Sequence, residues 1–290
     1  MSRSSLRKRD ESFWKRLSAL QLLVRHRAEG QAGPWTTRRV GMSLEFAEYR
    51  EYYPGDDFRY VDWNLYGRLD RLFVKVFHRE ENIPVYVLID TSQSMSVGEK
   101  LSYAGELAGA LSYIGLKDMN RVGVFAFARA LVQGVPARSG LSHLQKILSF
   151  LEGLQPNDRT SLSTALEEFS KLPVRRGLVV VLSDMLDPAG YEQGLFHLLI
   201  KRHEIALVQI LAPEDLEPPI HEVARLVDSE GLGEFSVSAG AVARYRQRLL
   251  QYEHGLETFC RTHQIRHKVL SAARPLERAL FEDLRGVLFV

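Results

Sequence analysis

Residues 83–96 read IPVYVLIDTSQSMS, and the fold is decided there. An almost uninterrupted apolar run, Val85-Tyr86-Val87-Leu88-Ile89, stops at Asp90. A short apolar run ended by polar punctuation predicts a strand buried on both faces, as in the middle of a parallel sheet. Asp90-Thr91-Ser92-Gln93-Ser94 follows, and in an extended loop alternate side chains point the same way. One carboxylate and two hydroxyls can therefore converge. These are hard oxygen donors, suited to Mg2+ or Ca2+ rather than zinc or iron. In open α/β sheets ligands bind just beyond the carboxyl ends of strands, which is where this loop falls.

Downstream of this stretch the pattern alternates regularly. Helices are predicted at Lys100 to Leu116, Leu141 to Leu151, and from the segment Asp158-Arg159-Thr160-Ser161 to about Leu172. A further helix is predicted from Asp187-Pro188, with Asp187 as N-cap, and others over Ala241 to Thr262 and Pro275 to Leu284. Strands are predicted at Val122 to Phe127, Leu131 to Val135, Leu178 to Leu182, Ile205 to Leu211 and Arg266 to Leu270, with a short one near Ala224 to Val227. Strands alternating with helices of this length give an α/β chain with a doubly wound, mostly parallel sheet.

Upstream, residues 11–28 read as a basic amphipathic helix, with Phe13, Leu17, Leu20 and Val24 at helical spacing. It is either a surface for anionic lipid or a partner, or a helix packed on the domain with its basic residues in water; the packed reading is preferred. Between it and the central strand lies the stretch SLEFAEYREYYPGDDFRYVDWNLYGRLDRLFVKVF, with a turn at Pro54-Gly55-Asp56-Asp57 and a strand at Leu72 to Phe77. Its acids cancel its arginines, which favours salt-bridged packing over nucleic-acid binding. Residues 1–80 are thus read as an N-terminal helical and extended extension, and 81–290 as the sheet domain.

The chain of 290 residues carries a net charge of +2, too little for a global pull toward nucleic acid or membrane, although residues 1–40 hold ten Lys/Arg against three acids. The single cysteine, Cys260, excludes an internal disulfide and fits a reducing compartment. With no apolar run of about 18 residues to span a bilayer and no signal-peptide pattern, the expected location is cytoplasmic.

Three strand ends or helix starts gather the chemistry: Asp90, Ser92 and Ser94, then Thr160, then Asp184. Each has a plain alternative as a helix cap or turn residue. Taken together, two carboxylates and three hydroxyls on one sheet edge favour a metal site. Two protein charges leave room for a carboxylate from outside. Cys260-x2-His263-x3-His267 resembles part of a zinc-finger spacing, but there is no second cysteine. His143 and His203 are read as packing or surface residues.

Asp90-Thr91-Ser92-Gln93-Ser94 with Thr160 and Asp184 resembles the metal-ion-dependent adhesion site of von Willebrand factor A-like domains. The upstream block of Leu44 to Tyr52, Pro54-Gly55-Asp56-Asp57, Arg59 and Val61-Asp62-Trp63 resembles the bacterial domain-of-unknown-function 58 family. The resemblance implies a Rossmann-like sheet and a divalent cation, usually Mg2+ with Mn2+ or Ca2+ as alternatives, that binds an acidic residue of a protein partner. It implies no catalysis, and it suggests pairing with a MoxR-type AAA+ ATPase or its client in a chaperone-like or assembly role. Arg159 and Ser161 flank Thr160 where the family tends to have Gly and Asp, so Thr160, Ser161 and Ser163 all stay open as the threonine-type ligand. Two other functional classes are carried as alternatives: metal-dependent phosphoester hydrolysis, and membrane attachment through the basic helix.

Overall fold

A computed structural model of the chain describes residues 9–23, 45–78, 83–157, 159–216, 224–227, 234–237 and 239–289. The first elements in order are α1 (Glu11–Leu17), β1 (Glu45–Glu51), α2 (Trp63–Leu69), β2 (Phe73–His78), β3 (Pro84–Asp90), α3 (Lys100–Lys117), β4 (Arg121–Phe127) and β5 (Leu131–Arg138). Then come α4 (Ser142–Glu152), α5 (Leu162–Lys171), β6 (Leu178–Ser183), α6 (Glu192–Ile200), β7 (Glu204–Leu211) and the short α7 (Pro213–Leu216). The chain continues through β8 (Ala224–Val227), β9 (Glu234–Val237), α8 (Ala239–Thr262), β10 (Arg266–Ser271) and α9 (Leu276–Arg278).

The apolar run beginning at Val85 forms β3, and all seven of its residues are buried. It lies inside a six-stranded sheet of order β10-β7-β6-β3-β4-β5. All neighbours run parallel except the β4–β5 hairpin at one edge. Alternate residues of β3 feed two cores. Val85, Val87 and Ile89 pack with α1, α3, α4 and the C-terminal segment. Tyr86 and Leu88 pack with α5, α6 and α8 on the other face. Helices on both faces explain why the inner strands read as continuous apolar runs rather than alternating ones. The result is a mixed α/β, mostly parallel sheet flanked by helices, as the sequence predicts.

Two compact units divide the chain: residues up to Arg25 together with 83–290, and His26–Asn82. The boundary read at residue 80 thus needs one adjustment, because the first helix belongs with the sheet. Helix α1 is capped by Asp10, whose carboxylate accepts the Phe13 amide at 2.9 Å. The helix buries Phe13 and Leu17 in the core, so those apolar residues are not a lipid-facing stripe. It is also shorter than the predicted 11–28. Ser18 and Ala19 turn, and Leu22 pairs with Phe289 as an antiparallel bridge. The apolar spacing past Leu17 belongs to an extended segment held by the chain's other end, and residues 24–44 lie outside the described ones.

The second unit contains an antiparallel β1–β2 pair with a bulge between Phe46 and Glu48. Its charges are paired as expected: Arg50 with Asp56 at 2.8 Å, and Lys75 with Asp62 at 3.0 Å. Asp62 also caps α2 by accepting the Asn64 and Leu65 amides, and it accepts the Tyr49 hydroxyl at 2.9 Å. The strand at Phe73–His78 therefore pairs within this unit and not with β3.

Two outcomes follow from this packing. Leu17→Ala should lower stability in urea unfolding by about 2–5 kcal/mol, as for a filled core site, and an unchanged midpoint would contradict the placement of α1 in the core. The bonds from Lys75 and Tyr49 hold the Asp62 carboxyl down at about 2. Because the folded value lies below the ordinary one, this group's contribution is present above about pH 4 and is lost as pH falls toward 2. A carboxyl-carbon NMR titration should give Asp62 a midpoint near 2, rising in Lys75→Met; an ordinary midpoint in the wild type would contradict the geometry.

Candidate metal centre at the carboxyl ends of the central strands

Strands β3 and β6 are parallel neighbours, with Ile89 opposite Leu182, so Asp90 and the Ser183-Asp184 pair emerge side by side at one edge. The chain leaves β3 toward β4 on one side, while β6, β7 and β10 lie on the other. Asp90 therefore stands at the switch point of the sheet, where open α/β sheets bind ligands.

Local bonds fix the loops. The Thr91 hydroxyl and amide both donate to the Phe127 carbonyl, at 2.9 and 2.7 Å. The Asn157 amide donates to Thr91 O at 2.6 Å, and the Ser161 amide to Ala128 O at 3.1 Å. These bonds anchor the segment bearing Thr160 to the loops after β3 and β4. The segment is also anchored from β6, because the Asp187 carboxylate accepts the Leu162 amide at 2.7 Å and the Ala189 amide at 2.8 Å. This corrects the helix predicted from Asp187-Pro188. Asp187 caps the start of α5 across the chain, residues 188–189 form a turn, and α6 begins only at Glu192.

Asp90 is completely buried. One of its oxygens accepts the Ser92 amide at 2.8 Å and the other the Ser183 hydroxyl at 2.6 Å. Both are neutral donors. Burial, reinforced by the nearby Asp184 charge, pushes the Asp90 carboxyl up to about 7 against the pull of these bonds. The Ser92 and Ser94 hydroxyls lie 3.1 Å apart beside it. Asp90, Ser92 and Ser94 thus form one cluster, with Asp184 on the adjoining strand end. Ser161 and Ser163 are engaged elsewhere: the Ser161 hydroxyl lies 2.8 Å from that of Thr164, and Ser163 donates to the Gly190 carbonyl.

Asp184 has a partner that the sequence reading missed. Lys100, the first residue of α3, is fully buried, and its ammonium donates to Asp184 at 2.8 Å and to Asp215 at 2.7 Å. Burial pulls the lysine down, but the two carboxylates outweigh it and hold it above its ordinary value. The other Asp184 oxygen accepts the Leu186 amide, and the Asp184 carbonyl accepts the buried Gln209 amide at 3.1 Å. A helical phase could have revealed Lys100, since it shares its face with Tyr103, Ala104, Leu107, Ala108 and Leu111, all buried. Asp215 follows β7 as Asp90 and Asp184 follow β3 and β6.

The donor set fits a hard divalent cation. Adjacent ligands on an octahedron of about 2.1 Å radius lie about 3 Å apart, which is the spacing of the two serine hydroxyls. Asp90 supplies a buried carboxyl group whose oxygens retain lone pairs. Among the described residues no group of three or more His, Cys, Asp or Glu could hold a metal, so a cation here would have to be held by hydroxyls, one or two carboxylates and solvent. Cys260, His263 and His267 do not converge. Cys260 is buried in the second core with its thiol pushed up to about 12, His263 packs on Phe196 and Phe259, and His267 lies against Gln209. His143 and His203 bond to backbone at Pro136 and Gly177, as packing residues do.

Rv1480 of Mycobacterium tuberculosis is 29% identical over 231 residues, covering 76% of this chain and 73% of that one. YeaD of Bacillus subtilis is 26% identical over 175 residues, covering 60% of this chain and 42% of its own. Among solved structures, BatB from Bacteroides thetaiotaomicron aligns with 63% of this chain and 98% of its own, at 16% identity and a TM-score of 0.39. No helix among the described residues is long and apolar enough to cross a membrane. The model of one family spans residues 48–255, more than half of the sequence, and the chain belongs to that family, Protein of unknown function DUF58.

Proposed function

We propose that this DUF58 chain is a binding module of von Willebrand A-like type that docks an acidic residue of a protein partner through Mg2+. The cation is held by Asp90, Ser92 and Ser94, with Thr160 and Asp184 completing the surround. The observation that carries this reading is the Ser92–Ser94 hydroxyl pair, 3.1 Å apart, beside a buried carboxylate bonded only to neutral donors. Bound metal supplies a positive charge at the sheet edge. An ionised Asp90 neutralises half of it and Asp184 is partly offset by Lys100, which leaves positive charge for an incoming carboxylate. The chain's own residues orient that encounter: Thr91 and Asp187 fix the loops, and Ser183 holds Asp90.

Docking is favoured over phosphoester hydrolysis because Lys100, the cation paired with Asp184, is fully buried between two carboxylates rather than facing a substrate. It is favoured over lipid attachment because the apolar residues of α1 lie in the core. The partner that the resemblance implies is a MoxR-type AAA+ ATPase or its client.

Isothermal calorimetry should show Mg2+ binding to the wild type, with affinity reduced at least about tenfold in Asp90→Asn and in the Ser92→Ala/Ser94→Ala pair, for loss of charge or of direct ligands. Equal affinity in all three proteins would overturn the assignment. Retention of a partner from cell extract should depend on Mg2+ for the wild type and vanish in EDTA; retention unaffected by EDTA would contradict metal-mediated docking.

A further inference from the structure

We infer that Lys100 is a built-in competitor for the metal: its ammonium holds Asp184 and thereby sets how strongly the site binds a divalent cation. The inference rests on the metal reading above and adds a residue to it that the adhesion-site pattern does not contain.

The case is geometric. A lysine is almost never fully buried unless paired, and Lys100 is paired twice, at 2.8 Å to Asp184 and 2.7 Å to Asp215. The fold makes a special turn to place it there. Gly98 and Glu99 both have left-handed backbone, with φ of 57° and 58°, so the chain reverses sharply and α3 begins at Lys100 with its side chain inward. Gly98 presses on the loop after β7 so closely that a Cβ there would lie 2.3 Å from the Ala212 side chain. That loop carries Asp215, whose carboxylate also accepts the Ala212 amide at 2.8 Å and whose carbonyl accepts the Tyr245 hydroxyl from α8 at 2.8 Å. The ammonium is therefore fixed between the loop after β7 and the candidate site.

Two consequences follow from Coulomb's law at this range. With the ammonium in place, the Asp184 charge is partly offset for a cation beside Asp90, because one ammonium is shared with Asp215, so binding is weaker and the metal keeps more positive charge for an acidic ligand. Without the ammonium, both buried carboxylates attract the cation. Losing Asp215 instead leaves the lysine with a single counter-charge and makes the region more positive. The two substitutions should therefore move metal affinity in opposite directions, which a merely structural role would not do.

The test is calorimetric titration of Mg2+ into the full chain as wild type, Lys100→Met and Asp215→Asn, each first shown to be folded by circular dichroism and thermal melting. Lys100→Met should bind Mg2+ at least about tenfold more tightly and Asp215→Asn about tenfold more weakly, given a unit charge moved within a buried cluster. Binding by Lys100→Met where the wild type shows none also supports the inference. If the wild type binds and Lys100→Met binds equally or more weakly, the role of Lys100 is overturned while the metal site stands. If neither protein binds, the metal reading and this inference fall together. Should Lys100→Met fail to fold, Asp215→Asn decides: weaker binding supports the inference, and equal or tighter binding overturns it.

Discussion

The buried charge at the end of the central strands is the constraint from which the rest follows. Asp90 and Asp184 are both fully buried at the ends of neighbouring strands, and the Asp184 charge acts on Asp90 through a medium that screens poorly. Such an arrangement persists only if the charges are balanced, and the fold balances one of them with Lys100. That pairing dictates the turn at Gly98-Glu99, the close approach to Ala212 and the position of Asp215. The Asp90 carboxyl is met by neutral donors from Ser92 and Ser183, and burial leaves it far above an ordinary carboxylate. A fold that encloses a carboxylate in this way has placed it at a sheet switch point, where open α/β sheets bind ligands.

The surrounding structure serves that edge. The register of β3 against β6 sets Asp90 beside Ser183, and the apolar runs on both strands make the register insensitive to solvent because both faces are covered. Asp187 ties the α5 start to the loop after β6, and Thr91 ties the loop after β3 to β4. These bonds join three separate stretches of chain into one rim. Their strength comes from burial, where an unmade hydrogen bond is costly.

Much of this was legible in the sequence because the signals are local and one-dimensional. Runs such as Val85 to Ile89 and Leu178 to Leu182 have no polar residue to place on a wet face, so they had to be inner strands. Acids and hydroxyls immediately after such runs fall at the ligand edge by topology alone. Other features were hidden because tertiary partners overrode local rules. Asp187-Pro188 carries a helix-start signal, yet its carboxylate is taken by the distant Leu162 amide. The apolar spacing past Leu17 continues a helical pattern, yet Leu22 pairs with Phe289 instead. Lys100 at a helix start looks like an ordinary solvated charge, and only its phase with Leu107 and Leu111 betrays that it faces the core. The basic helix, grouped by the sequence reading with the N-terminal extension and read there as packed on the domain, contributes Phe13 and Leu17 to the core of the sheet itself.

The most direct test of the central claim is a crystal structure of the protein grown with Mn2+, with anomalous scattering recorded at the manganese edge. The account predicts a single strong peak at coordination distance from the Ser92 and Ser94 hydroxyls and beside Asp90, with Lys100 still bound to Asp184. A structure with no peak there, or with manganese only at surface carboxylates, would contradict it.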